Sequence, residues 1–154
     1  MLRVGETSPI ISIQTDCGQF SLNEQIGKKL VVFFFPRADT SGCIREAIQF
    51  SAFGDAFYAE KTVVIGISKD NPAKLAKFRS KHNLTCLLGA DHETNVCEQF
   101  GAWVEKSMYG KSFMGVQRST YLIDMDRKII AVWPKVKVDG HASDVLKTVK
   151  SLVP

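Results

Sequence analysis

The sequence predicts an α/β domain in which a central mixed β-sheet is flanked by helices. Three observations carry that prediction. Two stretches, "KKLVVFFF" and "TVVIGISKD", are continuous β-branched and aromatic runs, the composition of strands buried on both faces. Each is followed by apolar residues at three- and four-residue spacing, so strand, helix, strand, helix alternate as in a parallel β/α unit. The last third of the chain breaks that alternation with two strands around Asp126-Arg127, a hairpin that adds antiparallel neighbours, and closes on a helix.

Size and charge bound the possibilities. A chain of 154 residues with 45% apolar and 23% charged side chains is expected to form one domain spanning residues 1–154. Its longest apolar run, residues 30–35, is too short to span a bilayer. The first ten residues, "MLRVGETSPI", lack a secretory apolar core, so a cytoplasmic protein is expected. A net charge of +4 is mild and its cations are scattered, with only Lys135 and Lys137 clustered, which argues against a nucleic-acid face. Cys17, Cys43, Cys86 and Cys97 form no CxxC pair and are read as free thiols.

The elements follow in order. Alternation in "IISIQT" gives a strand, and "TDCGQFSL" a tight turn with Cys17-Gly18 at its tip leading into a second short extended piece. The "KKLVVFFF" strand stops at Pro36. From Cys43, the residues Ala47, Phe50, Phe53 and Phe57 form one apolar stripe, predicting a helix to about Ala59. After the second buried strand, Asn71 caps a helix "NPAKLAKFRSKH" with Pro72 in its first turn, where a missing N–H costs nothing. A short apolar piece "CLLGA", a helix near "HETNVCEQFGAW" and a long irregular connection "VEKSMYGKSFMGVQ" come next. The hairpin "RSTYLIDM" and "KIIAVWP" follows, then a helix "HASDVLKTVKSLV" with Val145, Val149 and Leu152 on one face. This order matches a thioredoxin-like fold.

Cys43 is the candidate reactive group, because it stands where a strand hands over to a helix. Unpaired N–H groups and the positive end of the dipole at a helix amino terminus favour a thiolate, the reactive form of cysteine. Pro36 stops the strand, Gly42 permits close backbone approach, and the Thr40 hydroxyl can both donate to and accept from a ligand. The competing reading is that Cys43 packs as a small apolar residue.

Pro36, Thr40 and Cys43 stand as P-x-x-x-T-x-x-C, which resembles the active-site signature of peroxiredoxins. The stretches "FFFPRADTSGCIREA", "GAWVEKSMYGKSFMGVQRSTYLID" and "LKTVKSL" resemble the bacterioferritin comigratory protein, or peroxiredoxin Q, branch over nearly the whole chain. The resemblance implies a thiol-dependent peroxidase acting on hydrogen peroxide and organic hydroperoxides, with no cofactor or metal. It implies Cys43 as the peroxidatic cysteine, Thr40 as a hydrogen-bonding partner of thiolate and peroxide, Pro36 as a shield against water, and Arg118 as the arginine holding sulfur and peroxide oxygen. A monomer is implied, with thioredoxin, glutaredoxin or a small thiol as reductant.

The chain departs from the family at its second thiol. Many relatives carry a resolving cysteine five residues after the peroxidatic one, where this sequence has Ile48; others carry it in the helix corresponding to "NPAKLAKFRSKH", which has none. A one-cysteine mechanism with an external thiol is therefore expected, and an internal partner at Cys97, Cys86 or Cys17 is the alternative. A non-enzymatic redox sensor or holdase would use the same oxidation of Cys43. A disulfide reductase would need two thiols at the helix start. His82, Cys86, His92 and Cys97 have spacings that tolerate zinc, yet scattered surface rings are the better reading. Trp103, Tyr109 and Phe113 are expected to pack around the pocket, and Glu46 could orient Arg45 or Arg118.

Overall fold

The structure, a computed structural model, describes residues 1–25 and 27–152. Strands β1 (Ser12–Thr15), β2 (Gly18–Ser21) and β3 (Lys29–Phe34) lead into helices α1 (Ser41–Ala52) and α2 (Gly54–Ala59). Next come β4 (Thr62–Ser68), α3 (Pro72–His82), β5 (Leu87–Ala90) and α4 (Val96–Phe100). The chain continues through β6 (Trp103–Met108), β7 (Lys111–Val116), β8 (Ser119–Ile123), β9 (Ile129–Trp133) and α5 (His141–Ser151). Seven strands form one mixed sheet in the order β2-β1-β5-β4-β3-β8-β9, with β3, β4 and β5 parallel and the remainder antiparallel.

Alternation along β3 divides the core in two. Val31 and Phe33 point to the face covered by α1, α2, α3 and α5, whereas Leu30, Val32 and Phe34 point to the face covered by α4 and the amino-terminal segment. Phe33 stacks on Phe50 of α1 with ring centroids 4.5 Å apart, and its ring lies over Gly66 of the paired strand so closely that a Cβ there would collide with it. Gly66 thus lets the α1 stripe settle on the sheet. Among the described residues, no helix is long and apolar enough to cross a membrane.

Three expectations need correction. The stripe predicted as one helix from Cys43 begins earlier, at Ser41, and breaks at Phe53, whose φ of −94° and ψ of 11° end α1 before α2 starts. The helix near "HETNVCEQFGAW" is only Val96–Phe100, because the Asp91 carboxylate accepts the Val96 and Cys97 N–H groups and fixes the start there. The connection expected to be irregular is a second sheet, the β6–β7 hairpin, turning at Tyr109 and Gly110 with positive φ at both. Most of its residues are exposed or half-buried on both faces, so no apolar alternation advertises it.

Candidate active site

The thiol's surroundings begin at the end of β3. Phe35 still donates to Ile67 O at 3.0 Å, after which Pro36 ends the ladder. The loop that follows is pinned twice. Asp70 accepts the Ala38 N–H and the Ser68 hydroxyl, each at 2.7 Å. Asp39, in the left-handed region at φ 66°, holds Lys81 at 3.0 Å and His82 at 2.9 Å, and these partners, His82 first, keep its carboxyl below the usual range.

Thr40 is extended (φ −88°, ψ 153°) and caps α1 through its carbonyl, which accepts from Ile44 N at 2.8 Å. Its hydroxyl donates to Arg37 O at 3.0 Å, not to the sulfur. Cys43, third residue of the helix, is buried at 1% exposure among N–H groups that have no partner within the helix.

Arg118 arrives from 75 residues away because β8 runs antiparallel to β3: Ser119 pairs with Phe34, placing the preceding residue beside the β3 terminus. Its Nη2 donates to Cys43 Sγ at 3.3 Å and its Nη1 to Glu46 Oε1 at 2.8 Å. Glu46 lies three residues beyond Cys43, on the same side of α1. A Cβ on Gly42 would stand 3.0 Å from Nη2, so the guanidinium lies over a bare backbone.

The charges in this cluster are unequal. Burial pushes the Glu46 carboxyl up to about 7 despite Arg118, and its Oε2 has no hydrogen-bond partner among the described residues. Burial alone would lower Arg118, but Cys43 and Glu46 outweigh it and hold the guanidinium more firmly protonated. Lys106 of β6 also feels the cluster, its ammonium lowered first by burial and then by Arg118, while Nζ donates to Val116 O at 2.5 Å. Nothing in the local pattern marks Lys106, since most residues of its hairpin are exposed or half-buried.

Other expected residues are dispersed. Pro36 is half-buried and lines a cavity of about 350 Å³ with Lys69, Asp70, Lys74 and His92. Trp103 packs on the opposite sheet face, 5.4 Å from Lys69 Nζ, while Tyr109 and Phe113 are exposed on the hairpin; none of the three encloses Cys43. His141 is a buried ring, lowered to about 4 by burial, within 2.8 Å of Thr120 Oγ1 and edge-on to Phe50 and Trp133. Arg45 pairs with Asp139 at 2.5 Å, which leaves Arg118 as the partner of Glu46.

The other thiols lie in three different places. Cys17 is exposed in the turn after β1, three strands from β3, which is about 14 Å across the sheet. Cys86 is buried with Sγ 3.6 Å from Ser51 Oγ, eight residues along α1 from Cys43, about 12 Å of helix. Its thiol is raised by burial. Cys97 packs on the opposite face of the sheet, and burial beside Asp91 raises its thiol far above the usual range. His82 is taken by Asp39 and His92 lies against Ala90 O, so the suggested zinc set is not gathered.

Comparison with known proteins gives a consistent result. Residues 4–132 match the AhpC/TSA family. A putative peroxiredoxin bcp of Coxiella burnetii is 42% identical over 146 residues, covering 94% of this chain and 97% of that one. Peroxiredoxin Bcp of Bacillus subtilis is 38% identical over 98% of this chain and 97% of its own. Among solved structures, a cysteine-to-serine mutant of Xylella fastidiosa PrxQ superposes with a TM-score of 0.91 at 28% identity, over 98% and 97% of the two chains. Bacterioferritin comigratory protein of Xanthomonas campestris, solved as trapped intermediate and ligand complexes bearing on its alkyl peroxide reduction activity, gives 0.86 at 32% identity over 92% and 90%.

Proposed function

The chain belongs to the AhpC/TSA family, on its Bcp and peroxiredoxin Q branch, and from that premise we propose that Cys43 is the thiol through which this thiol-dependent peroxidase works, reset by an external reductant. The observation that carries the assignment is the Arg118 guanidinium 3.3 Å from Cys43 Sγ at the start of α1.

The Cys43 thiolate attacks the near oxygen of ROOH, the new S–O bond forms as the O–O bond breaks, and the electron pair leaves on the far oxygen, which takes a proton to become water or alcohol. Arg118 stabilises the departing charge, since a guanidinium stays protonated and offers donors in a fixed plane. Thr40 turns its hydroxyl from Arg37 O toward the peroxide, and Pro36 limits water at the sulfur. Glu46, through its 2.8 Å bond, positions Arg118.

Cys43 is left as a sulfenic acid. Resolution from outside is favoured by the placement of the other thiols: Cys17 three strands across the sheet, Cys86 about 12 Å along α1, and Cys97 on the other face. A disulfide needs α-carbons within about 7 Å. Thioredoxin, glutaredoxin or a small thiol would serve as reductant. The active unit is taken as the monomer, because Pro36, Thr40, Cys43, Glu46 and Arg118 all come from one chain.

Replacing Cys43 tests the assignment. Cys43→Ser is expected to abolish peroxide consumption in a thiol-coupled assay; consumption at the parental rate would overturn it.

A further inference from the structure

The loop after β3 and helix α3 enclose a groove beside the start of α1. One cavity of about 490 Å³ is lined by Arg37, Asp39, Lys74, Lys77, Phe78 and Lys81, and it shares Arg37, Asp70 and Lys74 with the cavity that Pro36 lines. Lys74, Lys77 and Lys81 recur at three- and four-residue spacing, which puts all three on one side of α3.

Of the groove's carboxylates, Asp39 is paired with Lys81 and His82, and Asp70 is hydrogen-bonded to the neutral donors Ala38 N and Ser68 Oγ. Lys69 is paired with Asp91 and Glu98. Among the described residues, Arg37, Lys74 and Lys77 have no carboxylate within ion-pair distance. Arg37, Lys74, Lys77 and Lys81 against Asp39 and Asp70 leave the lining at a net charge of +2, which concentrates anions there. The groove lies next to the start of α1 in the chain: Ala38 and Asp39, which line it, precede Cys43 by five and four residues, and Ala38 packs against the apolar cluster that holds Cys43 and Phe78.

We infer that this groove binds the reductant, a small thiol bearing two or more carboxylates, which Arg37, Lys74 and Lys77 hold while its sulfur meets the Cys43 sulfenic acid. The inference rests on the proposal that Cys43 is oxidised by peroxide and reset from outside. The bound thiolate attacks the Cys43 sulfur, the S–O bond breaks, and hydroxide takes a proton and leaves as water. A mixed disulfide remains. A second thiolate attacks the reductant's sulfur in that disulfide, so Cys43 leaves as thiolate and the two thiols depart as their disulfide, having supplied the two electrons. The cavity has the size of a small-molecule site, and its concave shape favours such a ligand over the surface of a protein.

The test follows reduction of the Cys43 sulfenic acid, preformed with one equivalent of hydrogen peroxide and quantified with a sulfenate-trapping reagent. Mercaptosuccinate, 2-mercaptoethanol and cysteamine are compared at low ionic strength, each rate divided by that thiol's rate with a small disulfide. Mercaptosuccinate is expected to be favoured over 2-mercaptoethanol by about tenfold, the low end of electrostatic steering, and cysteamine to be slowest. The preference should shrink as salt is added. The double variant Lys74→Glu with Lys77→Glu should lose it, whereas Lys147→Glu with Lys150→Glu on α5 should keep it.

An unchanged ratio in the groove variant, or no preference for mercaptosuccinate, overturns the inference while the peroxidase proposal stands. Failure of Cys43 to form a sulfenic acid overturns both. A groove variant that slows a reduced dithiol protein but keeps the mercaptosuccinate ratio assigns the face to a protein instead and overturns the small-thiol reading.

Discussion

Arg118 bridges Cys43 and Glu46, one guanidinium nitrogen donating to the sulfur at 3.3 Å and the other to the carboxylate at 2.8 Å. A lysine at this position would keep the charge but lose the planar fork that spans two acceptors. Arg118→Lys is therefore expected to slow oxidation of Cys43 by hydrogen peroxide by about 10²-fold, the scale of losing one oxyanion donor. Rapid-mixing measurement of thiol loss checks this, with the unfolding midpoint as a control for the fold.

Gly42 gives a second, separable test. Alanine there would set a Cβ 3.0 Å from Arg118 Nη2 and displace a guanidinium that two other contacts hold in place. In a helix, the same change gains up to about 1 kcal/mol of propensity. Gly42→Ala is expected to react about tenfold more slowly with peroxide, within the range lost with one oxyanion donor or less, while unfolding at the same or a higher denaturant concentration. A variant both less stable and fully active would contradict this geometry.

Glu46 links the site to pH. Its carboxyl, ordinarily near 4.5, is raised to about 7 by burial, so the native state holds the proton more tightly than the unfolded chain. The resulting stabilisation is complete below 4.5 and is lost as pH rises through about 7. Between pH 5 and 8 the unfolding free energy should fall by up to ~3 kcal/mol from this group. Glu46→Gln should flatten that slope; denaturant titrations at the two pH values check it.

Much of this arrangement was legible in the sequence because it is local or strongly patterned. The buried runs of β3 and β4, the Asn71 cap and Pro72, and the 126–127 hairpin all carry chemistry within a few residues of where it acts. Cys43 at a helix start was equally legible. The contact of Glu46 with Arg118 was only one of two options, Arg45 being the other, because the choice depends on the antiparallel register Phe34↔Ser119, which no local signal sets. The β6–β7 hairpin escaped for the opposite reason: its local geometry is regular, but exposure on both faces leaves no periodic apolar residue to report it. The break at Phe53 was hidden because Phe50, Phe53 and Phe57 keep their apolar spacing across it.

The most direct test of the central claim is the mass of the protein after one equivalent of peroxide, with peptide mapping to locate the change. A Cys43 sulfenic acid resolved from outside predicts the gain of one oxygen on Cys43, trapped by a sulfenate reagent, with Cys17, Cys86 and Cys97 still free. Loss of two hydrogens instead, with Cys43 joined to any of those three, would contradict the account.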